Sequence, residues 1–237
     1  MIKTYLTLVL LWCFLIIATS VSAQLSIKLA GRTYKIPKFN KTVNSPRDSF
    51  TIKLDSQYMS YHILEPLSSS PYPFEVRCSY SGMTTNVYRI NVLKADKDSL
   101  WWELYTIDRT TGRAPGAARY IEIGKGRGSL PEYLSIFVKR NSIAVGSYSV
   151  IDSLIHLGLF SEPSMVAILI NLKAQGVKLQ DPTLMDCCAD MLFNIKVNNH
   201  YRRFIYNGAM VENNPNVKDL ADASKLVNTF LYIASDR

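Results

Sequence analysis

From Leu25 to about Tyr148 apolar residues recur at every second position, a period that restricts this stretch to strands with one buried face. Leu25, Ile27 and Leu29 alternate with Ser26 and Lys28, and Ala30-Gly31 then turns the chain into Tyr34 and Ile36, which predicts a hairpin. Further alternating runs are Phe50, Ile52, Leu54; Met59, Tyr61, Ile63; Phe74, Val76, Cys78, Tyr80; and Tyr88, Ile90, Val92. Leu100 to Ile107, Tyr120 to Ile123, Leu134 to Val138 and Ile143 to Tyr148 complete roughly eight to ten strands. Turn chemistry separates them, as in Pro66 to Pro71, Lys94 to Asp98 and Arg109 to Gly112, and links this short imply an antiparallel meander.

After Ser149 the period becomes helical. Ile151 to Phe160 reads as a first helix, and Ser161-Glu162-Pro163 caps a second that Gly176 stops. This second helix is apolar nearly all round, which places it at the centre of the helical half. Asp181-Pro182 opens a third with Leu184, Cys188, Met191, Leu192 and Ile195 on one stripe. Tyr201 to Tyr206 reads as a short fourth, and Asn214-Pro215 opens a fifth with Val217, Leu220, Val227 and Leu231 inside. The expected class is therefore α+β. An antiparallel β-meander over residues 24–148 precedes a helical region of about five helices over residues 149–237, either packed on the sheet or standing as a second small domain.

Residues 1–23 have the order of a secretory signal peptide: Lys3, an apolar stretch from Tyr5 to Ala18, and a small-residue exit at Val21-Ser22-Ala23. A membrane span needs about 20 apolar residues, so cleavage before Gln24 is favoured over anchoring. Charged residues interrupt every later apolar run. The expected product is an exported soluble protein of the periplasm, cell envelope or extracellular space. Cys78, Cys187 and Cys188 remain after cleavage. The adjacent pair would be strained as a disulfide, and Cys78 with Cys188, both expected to face inward, is the candidate bridge.

The signal segment holds one Lys and no acid, which takes the formal net charge from +8 for the whole chain to +7 for the remainder. That surplus favours anionic surroundings, and the expected partner is an acidic glycan, a lipid head group or a partner protein. The cations are dispersed, and nucleic acid is not expected as a partner.

Fixed-spacing catalytic motifs are absent: there is no G-x-S-x-G, H-E-x-x-H, C-x-x-C or Walker loop. His62, His156 and His200 lie far apart, so neither a metal nor another cofactor is expected. Two surface features stand out. In Leu100 to Tyr105 the alternation puts Trp101, Glu103 and Tyr105 on one face, where the aromatic pair could stack a sugar and Glu103 bind its hydroxyls. In Gly124 to Ser129 the glycines would let backbone amides reach an anion that Lys125 and Arg127 attract. These features favour a non-enzymatic binding or envelope-associated protein. The alternative is an exported hydrolase with Glu103 at its centre, which lacks an identifiable second carboxylate.

Overall fold

The structure, a computed structural model, describes residues 24–37, 39, 63–81, 87–112, 119–125, 130–143, 149–161, 165–180 and 190–235. Its first elements are β1 (Gln24–Leu29) and β2 (Arg32–Pro37), an antiparallel pair joined through Ala30 and Gly31. Both turn residues have positive φ, 45° and 74°, as the two-residue hairpin turn that matches strand twist requires. Ile27, Leu29, Tyr34 and Ile36 are buried. The Ala30 amide donates to the Lys97 carbonyl, tying the hairpin to the main sheet.

That sheet has seven strands: β3 (Phe74–Ser81), β4 (Val87–Ala95), β5 (Leu100–Thr111), β6 (Tyr120–Lys125), β7 (Pro131–Ile143), β8 (Asp190–Val197) and β9 (His200–Asn207). The spatial order is β6-β7-β5-β4-β3-β8-β9, and every pairing is antiparallel. Leu134 to Val138 and Ile143 belong to one 13-residue strand rather than two. The runs Phe50 to Leu54 and Met59 to Tyr61 lie outside the described residues.

The helical half of about five helices is overturned. Helices stand at α1 (Ser149–His156), α2 (Met165–Ala174), α3 (Gly208–Asn213) and α4 (Lys218–Ser235), but the segments expected as third and fourth helices contribute β8 and β9. The physical reason lies in an ambiguous stripe. Met191, Leu192 and Ile195 fit one side of a helix, yet Met191, Phe193, Ile195 and Val197 also alternate with Asn194 and Lys196. Asn198 settles the choice by adopting φ 53°, because a left-handed Asn closes a two-residue hairpin with Val197 paired to His200. Residues on both sides of 149 therefore share one sheet, β8 adding beside β3.

The register sorts the sheet's side chains onto two faces. One carries Phe74, Val76, Leu93, Leu100, Trp102, Phe193 and Ile195, all packed into the main core with the hairpin and the helices. From α4, Leu220, Ala223, Leu226, Val227 and Phe230 enter this core, and Phe230 meets Trp102 at 4.9 Å and Phe193 at 5.4 Å between ring centroids. The helix expected at the centre, α2, is instead peripheral. It buries Met165, Ile168 and Leu172 but leaves Ile170 57% exposed. The other face carries a second, smaller cluster of Tyr88, Ile90, Val92, Ile107, Leu134 and Ile136 under Ile63 and Leu64. No helix among the described residues is long and apolar enough to cross a membrane.

Candidate functional site

Next to that smaller cluster the second face turns polar, and pairing register assembles it. One row across the strands reads Tyr201, Lys196, Glu75, Lys94, Trp101, Ser142; the next reads Arg203, Asn194, Arg77, Val92, Glu103, Arg140. Five cations thus stand with two carboxylates on neighbouring strands. Residues 63–73, which include a single 3-10 turn at Leu67–Ser69, supply Glu65, Ser70 and Tyr72 to this face.

Glu75 is fully buried and engaged through both oxygens: Oε1 accepts from Arg77 Nε at 2.6 Å, and Oε2 accepts from Ser70 Oγ. Arg77 donates a second bond to the Glu65 carbonyl at 2.7 Å. Lys196 is buried as well, and its ammonium donates to the Ser70 carbonyl. A buried charge is tolerated only when paired and hydrogen-bonded, so Ser70 acts as the clip that links Lys196 to Glu75.

Glu103 forms the second node. Its Oε2 accepts from Lys94 Nζ and from the Tyr105 hydroxyl, both at 2.8 Å, and Arg140 Nε stands 3.4 Å from Oε1. Burial pushes the Glu103 carboxyl up, but the hydrogen bonds from Lys94 and Tyr105 and the charges of Lys94 and Arg140 outweigh it. Its pKa therefore falls below the ordinary carboxylate value. Tyr105 moves the opposite way, raised by burial and then by its bond to the ionised Glu103. An ionised carboxylate with both oxygens engaged is a counter-ion, not a poised general acid.

Trp101 is half-buried on this face, away from the helices; Trp102 is the tryptophan they cover. Tyr72 and Trp101 meet in a T-shaped pair with 5.3 Å between ring centroids, and the Arg140 guanidinium lies 5.2 Å from the Trp101 centroid. Lys94 stands over Tyr72 at 5.2 Å. The structure thus brings Trp101, Glu103 and Tyr105 onto one face, with Arg140 half-exposed at the rim.

The other sequence-level candidates lie elsewhere. Lys125 ends β6 opposite Pro131, nine residues along β7 from Arg140, a separation of about 30 Å at strand rise. Arg127 lies outside the described residues, as does Cys188; Cys78 is a fully buried free thiol whose pKa burial raises. Arg109 binds Glu132 through two bonds of 2.7 Å, and Arg202 faces the core, donating to the Leu159 carbonyl at 2.9 Å. No group of three or more His, Cys, Asp or Glu able to hold a metal ion occurs among the described residues.

Glu75, Arg77, Lys94, Arg140 and Lys196 were not singled out from the sequence. The signal was present in Phe74-Glu75-Val76-Arg77-Cys78, where an acid and a base two residues apart must share a strand face. What it does not encode is that residues 63–73 fold over that face. No family model, no curated protein and no solved structure matches the chain.

Proposed function

We propose that this chain is an exported, non-enzymatic binding protein whose polar sheet face recognises an anionic ligand, an acidic glycan being the class that its rim fits best. The observation that carries the reading is Arg140, half-exposed beside Trp101 at the rim of a face on which further cations line two adjacent rows. Of these cations Arg140 is the one that stands half-exposed at the rim, positioned beside Glu103 and over Trp101, while Arg77 and Lys94 are engaged by Glu75 and Glu103 beneath it. At the rim, Arg140 offers donors to a sugar carboxylate while the half-buried Trp101 beside it offers apolar surface to the ring. Export is inferred from the N-terminal pattern alone. The hydrolase alternative gains no support from Glu103, whose carboxylate is held ionised by three neighbours.

The test is a thermal-shift titration with polygalacturonate, neutral dextran and anionic phospholipid vesicles at low and high salt. Ligand at 100 times its Kd stabilises by about 2.7 kcal/mol, well within detection. A shift with polygalacturonate that fades with salt supports the reading. An equal shift with dextran refutes it, and a shift with vesicles alone replaces the glycan by a lipid head group.

A further inference from the structure

A groove of about 610 Å³ lies between β2 and α1, far from the face just described in character and in residues. It is lined by Arg32, Thr33, Tyr34 and Lys35 of β2 and by Asp152, Ile155 and His156 of α1. Four consecutive strand residues can line one groove only along the strand's edge, because successive side chains point to opposite faces. Asp152, Ile155 and His156, at spacings of three and four, form a single helix face opposite that edge.

Among the described residues this edge is open. β2 pairs with β1 and with no other strand among the described residues, and no backbone hydrogen bond reaches residues 32–35 there except from β1. An open row of amide and carbonyl groups is a template for another extended chain. The template is also held in place. Tyr34 and Ile36 are anchored in the core, Ala30 is tied to Lys97, and Asn198 Nδ2 donates to the Ser26 carbonyl at 3.1 Å.

Charge selects the occupant. Arg32 and Lys35 outnumber Asp152, and the Arg32–Asp152 contact of 3.8 Å joins two side chains that are each more than half exposed, so it is too weak to neutralise Arg32. Ile155 supplies an apolar contact at the helix side. We propose that this groove takes an extended acidic peptide, which adds to β2 as a third strand with acidic side chains toward Arg32 and Lys35 and an apolar one toward Ile155. Strand addition of this kind draws affinity from main-chain hydrogen bonds and specificity from the flanking side chains. The groove's volume falls within the roughly 300–1,000 Å³ of ordinary ligand sites. This inference rests on elements separate from the anionic-ligand reading above and stands or falls without it.

The experiment is fluorescence anisotropy with a labelled peptide of alternating valine and glutamate, titrated with the full-length protein. Saturable binding is expected, weakened about tenfold when alternate backbone nitrogens are methylated, since two or so main-chain bonds are lost. Replacing glutamate by lysine in the peptide, or exposed Lys35→Glu in the protein, weakens it by a similar factor. Three results overturn the proposal: no saturation by about 1 mM, where binding is already negligible; affinity indifferent to methylation; or equal competition by succinate, which would make the groove a small-anion site. The first of these would assign Lys35 and Pro37 to keeping the edge unpaired.

Discussion

On one face of the seven-stranded sheet Trp102 packs under Phe230 in a core of aromatic and aliphatic side chains, while on the other Trp101 lies between Tyr72 and Arg140 beside a chain of buried charges. The same strand, β5, supplies both tryptophans. What separates them is the cover each face receives. Helices with a whole apolar side bury one face by excluding water from large areas, each side chain contributing about 1.5–3 kcal/mol. Residues 63–73 bring Glu65, Ser70 and Tyr72 to the other, so Glu75, Arg77, Lys94 and Lys196 lose solvent and must satisfy one another. The first face specifies how tightly the fold holds. The second stores fixed charge, which is the property a recognition surface needs.

The strongest way to sharpen this contrast is to remove one central contributor from each face. Phe230→Ala leaves a void touching Trp102 and Phe193 and should destabilise by about 3–5 kcal/mol, read as a fall in denaturation midpoint with unchanged slope. Glu75→Ala strands Arg77 beside a buried void and should cost about 3–5 kcal/mol as well. The two faces then part company in the rescue. A double change of Glu75→Leu with Arg77→Met should recover most of the loss, because an apolar pair of similar volume avoids desolvation, whereas no single neighbour change refills the Phe230 site. A double variant no more stable than Glu75→Ala would show that the charged pair itself holds the sheet together.

These two faces were legible to different degrees in the sequence. Strand alternation located the hairpin and both sides of β5, since Trp101, Glu103 and Tyr105 oppose Leu100 and Trp102 as a period of two demands. It failed at β8, where Met191, Leu192 and Ile195 fit a helical stripe while Met191, Phe193, Ile195 and Val197 fit a strand face, and where the hairpin meaning of Asn198-Asn199 decides between them. It also failed at Glu75 and Arg77. Alternation shows only that they share a face, and a polar face reads as solvated unless something covers it. Burial of charge here depends on contacts as remote as Ser70 with Lys196, 126 residues apart, and no local period carries that information.

A smaller effect separates the faces by pH. The folded pKa of Glu103 is depressed, so its network contributes stability that is present above the unfolded carboxylate value of about 4.3 and is lost as pH falls through the lower folded value. The protein should therefore lose stability below about pH 4.3, and Glu103→Gln, less stable at neutral pH, should converge on the parent as acid protonates the carboxylate. Denaturant midpoints measured from pH 7 downward for both proteins check this. Parallel curves would mean that Glu103 is equally free in the unfolded chain.

The smallest stability change, and the most informative, is expected at Arg140. Its side chain is half-exposed, its 3.4 Å contact with Glu103 is long, and surface pairs of this kind contribute about 0–1 kcal/mol. Arg140→Ala should therefore shift the melting temperature by no more than a few degrees, Lys94 and Tyr105 continuing to hold Glu103. Affinity for polygalacturonate should fall by about tenfold or more, since a charged hydrogen bond is worth roughly 1.5–3 kcal/mol. Arg140→Lys should restore charge without the guanidinium that lies over Trp101 and recover only part of that loss. Full recovery by lysine would reduce the rim to a point charge and remove Trp101 from recognition. Unchanged affinity in both variants would move the binding surface off this face altogether and leave its cations as structure alone.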